Sequence, residues 1–255
     1  MVRLTGLLAA IQFLTRIPIR LRREPDVGAG VRWFPVVGAL IGATVGGIAA
    51  GLWYVVPPLV AAAVAVTLGV LITGAFHEDG LADVADAFAG ETTIERRLEI
   101  LKDSRHGSYG VAALSASIIV RIVCLGSIPG PAAMFAAAVA AHAIARGAAV
   151  GLMGAAPLAS HQGLGADYGQ AATRGTAITA VVLGLAIGGA AVGWWAAALA
   201  AVVIASIATT RWISMRKIGG ISGDVLGTCE QVAECLCLVV LSGLATHNAL
   251  WWHHA

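Results

Sequence analysis

Gly74-Ala75-Phe76-His77-Glu78-Asp79-Gly80-Leu81-Ala82-Asp83-Val84-Ala85-Asp86-Ala87-Phe88-Ala89-Gly90 sets a carboxylate cluster directly against the end of a long apolar segment. If the part after Gly80 is helical, Asp79, Asp83 and Asp86 fall at i, i+4 and i+7 and share one face, while Leu81, Val84 and Phe88 take the opposite one. Three unneutralised carboxylates on one stripe repel one another. A hard divalent cation relieves that repulsion, and Mg²⁺ held by a few carboxylates commonly completes its shell with substrate phosphate oxygens. The competing reading is the solvated acidic face of an amphipathic helix.

Outward from this stretch the chain is apolar. Of its 255 residues 58% are hydrophobic and only 12% charged, with a mean hydropathy of +0.85, whereas soluble domains carry about a quarter charged residues. The expected fold is therefore all-α, a polytopic membrane helix bundle forming one integral membrane domain over residues 1–255. Abundant Ala and Gly suit close helix packing through small residues. About seven spans are expected, at Phe34 to Val56, Leu59 to Phe76, Val111 to Ile128, Ala132 to Ala156, Thr176 to Val192, Ala196 to Ile213 and Val225 to His247. Leu4 to Ile19 is too short and polar to cross and is read as an interfacial or re-entrant helix. It lacks the pattern of a cleavable signal. Cys124, Cys229, Cys235 and Cys237 form no Cys-x-x-Cys pair and read as small apolar residues.

Residues 77–110 form the longest polar segment and hold eight of the fourteen acidic residues. Thr92 and Glu95 predict a capping box for a short amphipathic helix from Thr93 to about Lys102. Asp103, Ser104, Arg105 and Gly107 follow, offering a guanidinium, a hydroxyl and free backbone N–H groups to a phosphate, or else forming a plain surface turn. Polar loops 157–175 and 211–224, the basic N-terminal region and 77–110 all fall on one side. The loops on the other side contain no Lys or Arg. The positive-inside rule makes the charged side cytosolic.

Gly219, Gly220, Ser222, Gly223 and Asp224 lead into the last span. Asp224 caps that helix, or the glycine loop presents backbone donors to a phosphate with Asp224 as a further metal ligand. Glu230 and Glu234 follow inside the apolar segment, where a carboxylate needs a partner or a wet pocket. Arg121, His142 and Arg146, themselves inside spans, are the available cations; each suits an anionic substrate pocket or structural pairing.

Taken in order, Phe13-Leu14-Thr15-Arg16-Ile17-Pro18, Phe34-Pro35-Val36-Val37-Gly38, the Phe76 to Asp86 run, Lys102-Asp103-Ser104-Arg105-x-Gly107 and Gly219-Gly220-x-Ser222-Gly223-Asp224-x-Leu226-Gly227 resemble the cobalamin synthase family, the adenosylcobinamide-GDP ribazoletransferases. His106 stands where the family pattern has an aliphatic residue, Ser222 replaces a Thr, and Gln231 stands where some members carry Glu. The resemblance implies a Mg²⁺-dependent enzyme of the bacterial cytoplasmic membrane, its active site facing the cytosol. Such an enzyme joins α-ribazole, or its 5′-phosphate, to adenosylcobinamide-GDP and releases GMP. On that basis Asp79, Asp83 and Asp86 hold the metal, Arg105 neutralises the leaving GMP, and Asp224 completes the metal site or positions the attacking hydroxyl. Glu230, Glu234 and Arg146 join Asp103, Ser104, Gly107 and the Gly219 to Gly223 loop as substrate-binding candidates. His77 is the candidate base by chemistry, although an ideal helix turns it away from the aspartate stripe. Expected partners are the two substrates and the lipid bilayer, with a homo-oligomer or other corrinoid-assembly enzymes left open; no basic run points to nucleic acid. A Mg²⁺-dependent lipid alcohol phosphotransferase would also use clustered Asp residues. A cation transporter would also bury charges, but it needs polar access from both sides.

Overall fold

The apolar, Ala- and Gly-rich segments form helices because only a helix satisfies its own backbone in hydrocarbon. The computed structural model describes residues 2–19, 27–90, 93–103, 105–159 and 172–247. Its elements are α1 (Val2–Leu14), α2 (Val27–Val31), α3 (Phe34–Leu52), α4 (Pro58–Thr73), α5 (Phe76–Gly90), α6 (Ile94–Ile100), α7 (Ser108–Ser127), α8 (Pro131–Met153), α9 (Arg174–Val192), a 3-10 turn at Gly193–Trp195, α10 (Ala196–Ile218) and α11 (Gly223–His247). Among the described residues five runs are long and apolar enough to cross a membrane, six if the bent pair α4 with α5 counts as one broken span. One of the five, Arg174–Ile218, is broken by the 3-10 turn into α9 and α10. Val181 of α9 and Ile207 of α10 both lie against Gly151, so the two helices fold back as a hairpin. The short apolar α1 does not reach spanning length.

α8 is the central helix, with 89% of its apolar window buried. Its partner α3 approaches through glycine: a Cβ on Gly42 would stand 2.5 Å from the Ala138 carbonyl oxygen. Packing this close through small residues is the way membrane helices gain dispersion contact without a hydrophobic driving force.

The expected span Leu59 to Phe76 ends early. Gly74 adopts a left-handed conformation, φ +69°, Ala75 follows at φ +57°, and α5 leaves at 87° to α4. The aspartate helix therefore starts at Phe76 and not after Gly80. α5 then crosses the ends of three other helices. Phe76 and Phe34, the first residue of α3, both pack on Phe13. Gly80 lies on the backbone of Asp224 in the first turn of α11, and Asp86 reaches the first turn of α7. α6 is capped by Thr93, whose side chain accepts from Arg96 N at 3.3 Å. Thr92 lies outside the described residues. α6 is tied down by Arg97, which donates to the Lys217 carbonyl at 2.9 Å, and Lys217 in turn donates to the Phe88 carbonyl at 2.8 Å.

Candidate functional site

α5 presents its carboxylates along one face, as their spacing requires, but the surrounding elements use them differently. Asp86 accepts from Gly107 N at 2.6 Å and Gly110 N at 2.9 Å. Both oxygens thereby cap α7, whose own N-cap, Gly107, has no side chain to do so. Beside the other two aspartates stands His106. Its Nε2 lies 3.4 Å from Asp79 Oδ1 and its Nδ1 3.5 Å from Asp83 Oδ1. One ligand atom each from Asp79, Asp83 and His106 lie within 4.8 Å of one another. Mg²⁺ binds oxygen at about 2.0–2.1 Å in an octahedron, so small side-chain rotations would bring oxygens of Asp79 and Asp83 onto one ion. Two carboxylates with open positions for water and phosphate fit that ion.

Asp224 forms the adjoining wall. A Cβ on Gly80 would stand 2.9 Å from Asp224 Cα, so only glycine lets α5 seat this closely on α11. Thr228 ties the crossing by donating to the Gly80 carbonyl at 3.2 Å and the Asp224 carbonyl at 2.8 Å. Ser222 donates to Asp224 Oδ2 at 3.3 Å and accepts from Val225 N at 3.3 Å, which makes it a cap of α11. The Asp83 side chain is only 12% exposed while Asp79 is 63% exposed. Burial, then the charges of Asp79 and Asp224, raise the Asp83 carboxyl to about 7, against a smaller lowering by His106.

The other sequence candidates divide. Arg105, 87% exposed, is paired with Asp103 two residues away, its NH2 2.7 Å from Asp103 Oδ2. That pairing holds the Asp103 carboxyl down at about 2. The pair sits on the rim, beside His106. Ser104 lies outside the described residues. Gly219, φ +73°, closes α10. A Cβ on Gly220 would stand 2.7 Å from the Pro157 carbonyl oxygen, because Leu158 and Ile221 form a parallel bridge here. Ile221 N donates to Pro157 O at 2.9 Å and Ala159 N to Ile221 O at 2.8 Å. The glycine loop thus spends a donor on the 157–159 strand-like segment, and Gly223 opens α11.

Glu230, Glu234 and Arg146 do not reach the aspartates. They are 0%, 1% and 2% exposed and pair with one another inside the bundle. Glu234 accepts from Arg146 and, at 3.2 Å, from Arg121, and lies 2.9 Å from His142 Nδ1. Glu230 pairs with Arg146 and accepts from Gln231 at 3.0 Å. Gln231 itself accepts from Ser117 at 2.6 Å. Glu78, in the quoted stretch but not among the candidates, turns inward to Arg121 at 2.8 Å. His77, the candidate base by chemistry, lies where helix geometry turns it, buried with Nδ1 3.6 Å from Glu230 Oε2 and away from the aspartate face. Charges at these depths are tolerated because each finds an opposite charge. Removing one partner from such a network costs about 3–5 kcal/mol.

Residues 6–242 match the profile of the family described as cobalamin-5-phosphate synthase. An adenosylcobinamide-GDP ribazoletransferase of Bradyrhizobium diazoefficiens is 39% identical over 246 residues, covering 91% of this chain and 90% of that protein. The protein of the same description from Ralstonia pickettii is 35% identical over 91% of this chain and 93% of its own length. That of Chlorobaculum tepidum is 32% identical over 97% and 98%. No solved structure matches the chain. With profile and relatives both aligned nearly end to end, the chain belongs to the cobalamin-5-phosphate synthase family.

Proposed function

We propose that the chain is an adenosylcobinamide-GDP ribazoletransferase of cobalamin biosynthesis, and that the diphosphate of its substrate is bound where α5 crosses α11. Family membership supports the activity. The convergence of Asp79, Asp83, His106 and Asp224 at one end of the bundle supports the site. Asp79 and Asp83 hold Mg²⁺. When bound, the ion neutralises and polarises the phosphoryl oxygens, the main requirement of a transfer that proceeds by positioning and charge stabilisation.

In the reaction a ribose hydroxyl oxygen of α-ribazole, or of its 5′-phosphate, attacks the phosphorus on the corrinoid side of the diphosphate. The bond from that phosphorus to the bridging oxygen breaks, GMP leaves with the electron pair, and the hydroxyl proton is lost to a base. Asp224, held by Ser222 beside Gly80, accepts a hydrogen bond from the incoming hydroxyl and orients it. Arg105, exposed on the rim next to His106, meets the departing GMP phosphate, exchanging Asp103 for a second anion. The buried ionic network beneath α5 fixes Glu78 on α7 and His77 on α11, which keeps the aspartate face from rotating.

Arg96, Arg97, Lys102, Arg105, Arg211, Arg216 and Lys217 lie on segments at or beside the α5 end of the bundle, and the far turns carry no Lys or Arg. By the positive-inside rule this supports an active site open to the cytosol of a bacterial cytoplasmic membrane.

The test uses membranes containing the protein, adenosylcobinamide-GDP, α-ribazole and Mg²⁺, with GMP and complete cobamide as readouts. Wild type is expected to release GMP, and Asp79→Asn and Asp83→Asn to lose that release while remaining inserted. Near wild-type turnover by both variants would overturn the metal assignment; no product from folded wild type at any Mg²⁺ concentration would overturn the activity.

A further inference from the structure

We infer that the groove between α9 and α10, at the basic end of the bundle, is a binding site for one anionic phospholipid, whose phosphate meets Arg174 and Arg211 and whose acyl chain lies along the groove. The groove shares no residue with the α5 crossing, and the inference does not depend on the activity proposed above.

The groove has a volume of about 340 Å³. Arg174, Ala177, Ile178, Val181 and Val182 of α9 line one wall. Their i, i+3, i+4, i+7, i+8 spacing sets them on one helix face, with the arginine in the first turn. Ile207 of α10 closes the other side, and Arg211 follows it at i+4, on the same face and one turn nearer the basic end. Arg211 donates from Nε to the Ala155 carbonyl at 2.8 Å. Ala155 also lines the groove, so this guanidinium is tied to the groove wall. Gly151 and Gly154 form the floor, where an added Cβ would stand 2.7 Å from Ile207 Cδ1 and 2.4 Å from Ala177 Cβ respectively. Each wall is thus an apolar stripe that ends in an arginine, over a floor without side chains.

The chemistry of the occupant follows. From Arg174 to Val182 the stripe runs about 12 Å at 1.5 Å per residue, which fits within one leaflet of a hydrocarbon core about 30 Å thick. Ile178 and Val182 are 65% and 60% exposed, and at membrane depth such side chains face acyl chains. Trp212, next to Arg211, is exposed, and Arg216 lies over its ring at 4.2 Å. Aromatic and basic side chains together mark the headgroup level, so the arginines stand where a lipid phosphate does and the stripe where its chain does. Guanidinium groups bind phosphate with paired hydrogen bonds, and basic pockets between spanning helices take anionic headgroups. α8, α9 and α10 contain no Asp or Glu, so they bring no carboxylate to neutralise the pair. A zwitterionic headgroup brings its own cation to the two guanidiniums, and an anionic one does not. The larger groove at the other end of the bundle, about 660 Å³, is lined by Tyr54, Phe135 and small apolar residues without a charged side chain. It offers room for a chain but nothing that selects a headgroup.

The experiment uses the purified full-length protein in phosphatidylcholine nanodiscs. The probes are phosphatidylglycerol and phosphatidylcholine, each with a photoreactive acyl chain, and cross-linked residues are mapped by mass spectrometry. The expected result is that the phosphatidylglycerol probe labels Ile178, Val182 and Ile207 in preference to the phosphatidylcholine probe, while both label the groove at Phe135 equally. Arg174→Gln and Arg211→Gln should each lower that preference by roughly fivefold, the effect of one cation beside an anionic lipid, with labelling at Phe135 unchanged. The wild-type arm needs no variant, and the Phe135 groove reports whether each variant is folded. Equal labelling of the α9 and α10 groove by the two probes in wild type would overturn the inference. So would a phosphatidylglycerol preference spread evenly around the bundle, which is general surface charge, or protection of the groove from both probes, which is a protein cover. A preference retained in full by both folded variants would overturn it as well.

Discussion

Gly80→Ala is the most exacting perturbation of the α5 and α11 crossing. The added Cβ would stand 2.9 Å from Asp224 Cα and 3.0 Å from the Asp224 carbonyl oxygen. Both are backbone atoms, so no rotamer change relieves the contact. Carbon atoms pack at about 3.5–4.0 Å, so the helices must part by about 0.6–1 Å. Asp79 and Asp83 flank Gly80 on one helix and Asp224 is the contact on the other, so the whole separation goes into the distance between the two walls of the site. Overpacking of this kind costs about 1–3 kcal/mol, offset in part by about 1 kcal/mol from replacing a helical glycine by alanine. Stability should therefore change little while GMP release falls by about 100-fold, the usual effect of a displacement near 1 Å in a positioned reaction. Gly47→Ala is the control: it is the same change in a helix, with nothing within 4 Å of the new methyl. The assay is the initial rate of GMP release in membranes, with the thermal midpoint of the purified protein alongside. A Gly80→Ala rate within about twofold of wild type would refute the claim that the two walls act together.

Two further outcomes follow from the same geometry. Asp86→Ala removes both caps of α7 and should lower the thermal midpoint by an amount corresponding to about 1–2 kcal/mol, with Mg²⁺ still bound by the purified protein. An unchanged midpoint with Mg²⁺ binding lost would put Asp86 back among the ligands. The Asp83 carboxyl, raised from 3.8 to about 7 in the metal-free protein, binds its proton more tightly folded than unfolded. The metal-free protein should then lose stability as pH rises from about 4 to about 7, because ionisation is disfavoured only in the folded state. Mg²⁺ must displace that proton, so the thermal shift it produces should grow as pH rises through 7 and level off above. An equal Mg²⁺-induced shift at about pH 6 and about pH 8 would show that Asp83 is not titrating at the site.

The periodicity of Asp79, Asp83 and Asp86 was enough to place them on one face, since an i, i+4, i+7 spacing is local information. Their different fates were not legible, because what distinguishes Asp86 is a pair of backbone N–H groups 21 and 24 residues away. His106 stood out in the sequence only as a departure from a family pattern; its partners are set by that same tertiary anchor. Chemistry alone made His77 a candidate base, whereas helical spacing turned it away from the aspartate stripe, and it does lie there, buried beside Glu230. The break that starts α5 falls at Gly74 and Ala75, and a positive φ at an alanine has no sequence signature. Glu230 and Glu234 demanded cations by their depth alone, and Arg121, His142 and Arg146 were identifiable as the supply. Which cation meets which carboxylate depends on helix rotation and crossing, which hydropathy does not encode. The Gly219 and Gly220 pair read as a phosphate loop because backbone donors and glycines are common to both uses. Here the missing side chain serves close approach to Pro157 and Leu158.

The most direct test of the central claim, that the α5 aspartates and Asp224 form the metal and diphosphate site, is an experimental structure of the enzyme with adenosylcobinamide-GDP and Mg²⁺. The expected result is metal density between Asp79 and Asp83, the diphosphate on that ion, and Asp224 facing the phosphorus on the corrinoid side. A diphosphate seated away from α5, with Asp79 and Asp83 bound to water alone, would contradict it.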